Sequence, residues 1–197
     1  MTERKDKKHN KGARDTRDLK PKYRKKTREL LMRLVFQMTV SGDFSDAARD
    51  AFLADPSLYL GDVRGDTPLG CIFDEAAGEH PDMPYFDWAF RCVRDNLPEL
   101  DRVLKAASEK WPLGRMNPVD LAILRLAAAE IIYVENIDDS TSINEAVLLA
   151  KKYGSEKSPT FVNGILGTVA RSKTGAAQDS AADSLPVTVP DSSVAAP

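Results

Sequence analysis

Histidine and cysteine are scarce in this chain, which has two of each among its 197 residues. Metal sites built from His and Cys ligands are therefore nearly excluded. A nucleophile activated by histidine would depend on His9 or His80, and neither lies in sequence typical of a catalytic centre. No glycine-rich phosphate loop of a common spacing occurs either. The sequence predicts a protein that is not an enzyme and that uses no metal or other cofactor.

Long apolar runs are also absent. No stretch approaches the roughly 18 consecutive apolar residues of a membrane span, and no apolar segment follows the basic N-terminus as it would in a secretory signal. We therefore expect a cytoplasmic protein with no membrane partner. In that compartment Cys71 and Cys92 are expected to stay reduced rather than to form a disulfide.

Charge is unevenly distributed along the chain, although the formal net charge is only −2. Residues 1–28 contain 13 Lys and Arg against 4 Asp and Glu, a net charge of +9. The other 169 residues contain 15 against 26, a net charge of −11. A basic segment attached to an acidic body is typical of proteins that bind nucleic acid or another anionic surface.

Composition divides the chain into three parts. Residues 1–20 are charged and nearly devoid of apolar side chains, which predicts a disordered basic arm. Residues 173–197 are rich in Ala, Ser and Pro and contain no aromatic residue, which predicts a disordered tail. Residues 21–172 are the predicted folded domain, and residues 55–84 within it are an acidic, irregular connector.

Apolar residues in the folded part recur with the period of an α-helix. Leu30, Leu31, Leu34, Val35 and Met38 form one stripe on a first helix over 22–40. Six more helices are predicted: a short one over 45–53, two with apolar stripes over 86–97 and 100–111, one opened by Pro118, one over 142–153, and one opened by Ser158 and Pro159. The expected fold class is all-α, with about seven helices in two small packed bundles.

Local features add narrower expectations. Ser142 and Glu145 have the spacing of a capping box at the start of the sixth helix. Glu130, inside an apolar run, is expected to form a structural ion pair or hydrogen bond rather than to act as a catalytic acid. Trp111 is expected to be a core residue at a helix end, and Gly164 to allow close helix packing.

The main candidate for function is a cluster of cations on the first turns of the first helix, Lys22, Arg24, Lys25, Lys26 and Arg28. Exposed cations at a helix N-terminus cost about 0.3–1 kcal/mol each, which a bound anion would offset. Lys and Arg bind RNA phosphates, and aromatic rings stack on single-stranded bases. Phe36 and Phe161 are the candidate rings, and Lys157 would extend the positive surface.

Four segments of the folded part stand out as motifs: 120–130 (DLAILRLAAAE), 142–146 (SINEA), 150–154 (AKKYG) and 161–166 (FVNGIL). In their order and spacing they resemble the NusB family of transcription antitermination factors. Segment 24–30 (RKKTREL) resembles the family's Arg-rich opening, and Phe36-Gln37 falls where the family has an aromatic and a polar residue. The resemblance covers about residues 21–172 and is weak across 43–84.

This resemblance implies a single-stranded boxA element of nascent ribosomal RNA as ligand. It also implies a complex with NusE, a small-subunit ribosomal protein, that joins the RNA polymerase antitermination complex and suppresses premature termination. By position, the RNA surface would include Arg24, Lys25, Lys26, Arg28, Phe36, Lys157 and Phe161. The partner surface would include Val119, Asp120 and Arg125.

One alternative function stays open at this point. A helical protein-interaction module, forming a homodimer when other partners are absent, would use its basic arm to bind anionic partners without sequence preference. Titration with NusE distinguishes the two hypotheses, since only the RNA-binding adaptor should form a one-to-one complex that tightens RNA binding.

Overall fold

The computed structural model describes residues 21–55, 58–61, 71–74, 76–108, 111–134 and 137–182. The described residues contain seven α-helices: α1 (Pro21–Ser41), α2 (Asp46–Leu53), α3 (Met83–Asp95), α4 (Leu97–Ala107), α5 (Pro118–Tyr133), α6 (Asp139–Tyr153) and α7 (Ser158–Ala182). They also contain a 3-10 turn over Leu113–Arg115 and one two-residue parallel pair, β1 (Leu60–Gly61) with β2 (Phe73–Asp74). The all-α prediction is confirmed. The predicted basic arm 1–20 lies outside the described residues.

The chain divides into two compact units with the boundary between Arg94 and Asp95. In the first unit, the predicted apolar stripe of α1 is buried, with Leu30, Leu34 and Val35 fully so. Ser45 caps α2 by accepting a hydrogen bond from the Ala48 amide at 3.2 Å. The apolar face of α3 is buried as well, including Phe86 and Phe90.

The predicted connector 55–84 is described only in part, since residues 56–57, 62–70 and 75 lie outside the description. Its described residues are irregular except for the β1–β2 pair, at which the Ile72 and Phe73 amides both donate to the Tyr59 carbonyl at 3.1 Å. The connector ends two residues earlier than predicted because α3 begins at Met83. Cys71 and Cys92 form no disulfide among the described residues.

The second unit is built around α5, in which every residue from Asp120 to Ile131 is buried. The sequence explains how the helix begins. Pro118 occupies its first turn, where a missing amide hydrogen costs nothing, and the Asn117 side chain accepts a hydrogen bond from the Val119 amide at 2.9 Å. Helices α4, α6 and α7 all pack against α5. The prediction that Pro118 opens this helix is confirmed.

Helix α6 corrects the predicted capping box. The helix begins at Asp139 with Asp138 at the N-cap position, so Ser142 lies one turn inside it. The Ser142 hydroxyl, 2 % exposed, donates to the buried Glu130 carboxylate of α5 at 2.7 Å. The buried residues of α6 are therefore Ser142, Ala146, Leu149 and Ala150, whereas Ile143 and Val147 are only half-buried. The structural role expected of Glu130 is confirmed.

Helix α7 differs from the prediction at two places. It continues to Ala182, into the predicted disordered tail 173–197, because Ala-rich sequence has high helix propensity; residues 183–197 lie outside the described residues. Gly164 is exposed, and a Cβ built there would meet nothing within 4 Å. Close helix packing, the predicted reason for this glycine, is therefore wrong.

Two kinds of feature are absent from the part of the chain that the structure describes. None of their helices is long and apolar enough to cross a membrane. Nor do they contain a group of three or more His, Cys, Asp and Glu side chains placed to hold a metal ion.

The Ser142–Glu130 contact gives the first testable prediction. Replacing Ser142 with Ala removes a donor from a buried carboxylate, so the free energy of unfolding should fall by about 1–3 kcal/mol. Urea unfolding measures this change. Ser140→Ala is the matched control, since Ser140 is exposed on the same helical turn and its loss should cost no more than about 0.5 kcal/mol. Equal effects of the two substitutions would contradict the assigned role of Ser142.

Candidate nucleic-acid interface

The four described candidate cations on the first turns of α1 differ widely in exposure. Lys25 is exposed, Arg24 and Lys26 are half-buried, and Arg28 is only 6 % exposed. Arg28 is buried because it precedes Leu31 by three residues and Val35 by seven, which places it on the apolar stripe of the helix. This spacing was visible in the sequence and marks Arg28 as the cation least available to an external phosphate.

Tyr85, near the start of α3, makes cation–π contacts with two of these cations. The guanidinium carbons of Arg24 and Arg28 lie 5.4 and 5.5 Å from the centre of its ring. Cation–π contacts of this length stabilise by about 0.5–1 kcal/mol when exposed and by more when desolvated. Tyr85 is itself buried. Both arginines therefore help to pack α1 against α3 within the first unit.

Asp82 lies in the same cluster. Its amide donates to the Thr27 hydroxyl at 2.9 Å, and the Thr27 hydroxyl donates to the Tyr23 carbonyl at 2.8 Å. The Asp82 Oδ1 accepts a hydrogen bond from the Tyr85 amide at 3.2 Å, whereas Oδ2 is buried and has no partner among the described residues. Burial raises the pKa of the Asp82 carboxyl, and the nearby Arg24 partly opposes that shift.

Lys26 forms an ion pair with Glu79, a residue of the connector. The Glu79 side chain is buried and also accepts a hydrogen bond from the Asp74 amide at 3.1 Å. The Lys26 ammonium lies 5.9 Å from the centre of the Phe73 ring. Lys26 is thus partly exposed, but its ammonium group forms an ion pair within its own unit.

Phe36 lies further along α1, with 36 % of its surface exposed, and Val40 one turn beyond it is 64 % exposed. An α-helix rises 1.5 Å per residue, so Phe36 lies about 16 Å along the axis from Lys25. The predicted stacking ring therefore faces solvent, but it is not adjacent to the exposed cation.

The other two predicted RNA-binding residues belong to the second unit. Lys157 is exposed in the turn before α7, and its carbonyl accepts the Phe161 amide hydrogen bond at 3.1 Å. Phe161 is half-buried, and its ring makes an edge-to-face contact with Trp111 at 6.4 Å between ring centres. The structure thus brings Lys157 and Phe161 together on neighbouring turns.

Trp111 is the aromatic residue that the sequence interpretation misplaced. It is 51 % exposed rather than a core residue, because α4 ends at Ala107 and the apolar period that was extended to Trp111 stops there. Pro112, directly after Trp111, was the available signal that the chain leaves helical geometry here.

The predicted partner-binding residues on α5 lie mostly inside the second unit. Asp120 is 6 % exposed and accepts a hydrogen bond from the Ser158 hydroxyl at 2.9 Å. Arg125 is 8 % exposed and donates two hydrogen bonds of 2.8 Å to Asp101 of α4. Both side chains are held within their own unit, which corrects the expectation that they lie at the surface. Val119 is half-buried.

The raised pKa of Asp82 predicts a pH dependence of stability. The folded state binds the proton of the Asp82 carboxyl more tightly than the unfolded state does. This protonation therefore adds to the free energy of unfolding below the ordinary Asp pKa, and the contribution is lost as the pH rises through the raised pKa. Asp82→Asn removes the titration, and its side-chain oxygen still accepts the Tyr85 amide hydrogen bond. The free energy of unfolding of the original protein, relative to this variant, should therefore fall from about pH 4 towards neutrality. Urea unfolding of both proteins across that pH range measures this change. A difference between the two free energies of unfolding that stays constant with pH would contradict the prediction.

Comparison with known proteins covers nearly the whole described chain. A sequence model described as the NusB family matches residues 25–171. A transcription antitermination protein NusB from Clostridium botulinum (strain Kyoto / Type A2) is 37 % identical over 146 residues, 73 % of this chain and 96 % of the relative. The NusB protein of Alkaliphilus oremlandii is 38 % identical over 144 residues, 73 % of this chain and 90 % of the relative.

Solved structures show the same fold. Thermotoga maritima NusB is 28 % identical with a TM-score of 0.57, over 75 % of this chain and 90 % of that one. A structure of antitermination factors NusB and NusE in complex with dsRNA matches with a TM-score of 0.59 at 20 % identity, over 78 % of this chain and 99 % of that one. The match of the family model and the identity to these relatives over nearly three-quarters of the chain agree with the motifs in the sequence and with the prediction of a non-enzymatic protein. The chain belongs to the NusB family.

Proposed function

We propose that this protein is an RNA-binding transcription antitermination factor. It binds a boxA-type element of nascent ribosomal RNA as a single strand, together with NusE, and acts within the RNA polymerase antitermination complex. The observation that carries the proposal is the family match over residues 25–171, since the relatives are named for transcription antitermination. The described surfaces supply the chemistry that such a function requires.

Exposure ranks the proposed RNA contacts in the first unit. Lys25 is the exposed cation, Arg24 and Lys26 contribute the charge that their internal contacts leave available, and Phe36 offers an exposed ring. Arg28 acts by packing against Tyr85 and so positions the start of α1. The basic residues that precede α1 in the sequence add phosphate contacts of the same kind.

The second unit contributes Lys157 and Phe161, a cation and an aromatic ring on neighbouring turns. A cation beside a ring suits a single strand, because the phosphate and the base are then contacted by adjacent side chains. Six of the seven RNA contacts proposed from the sequence have exposed or half-buried side chains: Arg24, Lys25, Lys26, Phe36, Lys157 and Phe161. Lys26 also forms an ion pair with Glu79.

NusE is the proposed protein partner. A ribosomal protein that binds RNA is basic as a class, and residues 29–197 of this chain carry a net charge of −11, so the two charges are complementary. The NusB of the related solved structure is in complex with NusE and dsRNA. Val119 is the one residue of the proposed partner set with a half-exposed side chain, whereas Asp120 and Arg125 would act by shaping α5 beneath it.

RNA binding and its salt dependence provide the first test of this function. The logarithm of the affinity for a single-stranded boxA-type RNA should fall linearly with the logarithm of salt concentration, with a slope of about −0.7 per neutralised phosphate. Lys25→Ala should reduce the slope by about 0.7. Fluorescence anisotropy over a salt series measures it, with Lys105→Ala as the matched control because Lys105 is an exposed lysine on α4.

The competing outcomes of that titration are distinct. Equal affinity for boxA-type and scrambled RNA would favour the interaction module with nonspecific anion binding. Tighter binding to a duplex of the same sequence would contradict single-strand recognition. Equal slopes for Lys25→Ala and for the original protein would exclude Lys25 as a phosphate contact.

Complex formation with NusE provides the second test. Size-exclusion chromatography with light scattering should detect a one-to-one complex, and the complex should bind boxA-type RNA more tightly than either protein alone. A stable homodimer that excludes NusE, or RNA affinity unchanged by NusE, would contradict the proposed adaptor.

A further inference from the structure

Trp111 is both exposed to solvent and held in position by hydrogen bonds. Its surface is 51 % exposed, although tryptophan is a large apolar residue that proteins usually bury to a high degree. It is also tethered by hydrogen bonds rather than loosely placed. We propose that Trp111, together with Phe161, forms a stacking site for a base of single-stranded RNA. This inference rests on the proposed function and adds a residue to it.

Three hydrogen bonds hold Trp111 in place. Its amide donates to the Ser108 carbonyl at 2.7 Å, and the Ser108 hydroxyl donates to the Trp111 carbonyl at 3.1 Å. The indole Nε1 donates to the Arg115 carbonyl at 3.3 Å, which orients the ring. A ring that is already oriented loses little conformational freedom when a base stacks on it, so more of the stacking energy appears as affinity.

The contact between the two rings leaves aromatic surface available. Trp111 and Phe161 meet at an interplanar angle of 69°, in an edge-to-face arrangement. Such a contact covers at most one face of either ring. The exposed fraction of Trp111 therefore includes aromatic surface against which a flat heterocycle can stack.

The surroundings of the two rings favour a nucleic acid over an apolar protein segment. Lys157 lies one turn before Phe161 and is exposed, and Arg115, whose carbonyl orients the indole, is exposed as well. Lys157 and Arg115 are four residues from Phe161 and Trp111 respectively, and an exposed cation at that spacing from a ring suits the alternation of phosphate and base along a strand. An apolar protein segment would offer these cations no opposite charge.

Gly164 adds an independent observation. It follows Phe161 by three residues, so the two residues share one face of α7. Glycine inside a helix costs about 1 kcal/mol relative to Ala, and here no packed neighbour explains it, since a Cβ would meet nothing within 4 Å. The surface of α7 is therefore open at Gly164, one turn after Phe161.

The proposal is tested with the full chain in the presence of NusE and a short single-stranded boxA-type RNA. Trp88→Phe leaves Trp111 as the single tryptophan, since the chain has two. In that background, RNA should quench the Trp111 fluorescence in a saturable way. Trp111→Ala should weaken RNA affinity by about 5- to 150-fold, with no change in the salt slope because no charge is removed. Trp111→Phe should restore most of the affinity.

A matched control and the contrary outcomes separate this inference from the function on which it rests. Leu148→Ala also removes an exposed apolar side chain, on α6, and should leave RNA affinity within about twofold. Normal RNA binding by Trp111→Ala would overturn the stacking site and leave the RNA-binding function intact. Weaker NusE binding with unchanged RNA affinity would assign Trp111 to the protein partner instead. Absence of RNA binding by the original protein would overturn both proposals.

Discussion

The second unit depends on three buried polar side chains of α5, each held by a different neighbouring helix. Asp120 accepts from Ser158 of α7, Arg125 donates to Asp101 of α4, and Glu130 accepts from Ser142 of α6. These three residues are spaced by five positions. Since each residue turns the helix by 100°, five residues turn it by 500°, and successive side chains point about 140° apart around the axis. Three contacts at this spacing therefore reach three helices around one buried helix.

This arrangement explains why charged residues occur within an otherwise apolar segment. Apolar packing alone would allow α4, α6 and α7 to slide or rotate against α5, whereas a buried polar group accepts few positions of its partner. The resemblance to the family places Asp120 and Arg125 on a partner surface by position. In the structure, the polar atoms of both side chains bond to other helices of the same unit.

Much of the fold is predictable from the sequence, because apolar periodicity reports which face of each helix is buried. The stripe of α1 and the opening of α5 at Pro118 follow directly from that pattern. The errors arise where a long-range contact overrides a local pattern. Ser142 has capping-box spacing, yet its hydroxyl donates to the buried carboxylate of Glu130 instead of capping the helix. That contact cannot be identified without the fold. The burial of Arg28, in contrast, follows from its place on the apolar stripe of α1, and the fold adds only that Tyr85 is the ring against which its guanidinium lies.

In the candidate site, too, the sequence predicts some of the exposed residues and misses another. Residue type and spacing predicted Lys25, Lys157 and Phe161, and all three keep exposed or half-exposed side chains. Trp111 was missed because an aromatic residue at the end of an apolar period is usually a core residue. Its exposure depends on where α4 ends, and that end at Ala107 cannot be inferred from periodicity, because apolar spacing does not indicate which turn is the last.

In the proposed RNA complex, the two units would contribute different kinds of affinity. The start of α1 would contribute charge, and that contribution would decrease as salt competes for the phosphates. The pair formed by Trp111 and Phe161 would contribute aromatic rings, and stacking on them is far less sensitive to salt. Charge alone would hold any anionic polymer, and the acidic remainder of the chain opposes such binding. Under this proposal, discrimination among RNAs would depend on the rings, because the rings would contact the bases, in which sequence differences reside. A segment that presented unpaired bases to Phe36 or to the Phe161–Trp111 pair would gain contacts that a duplex, with its bases stacked inward, could not make.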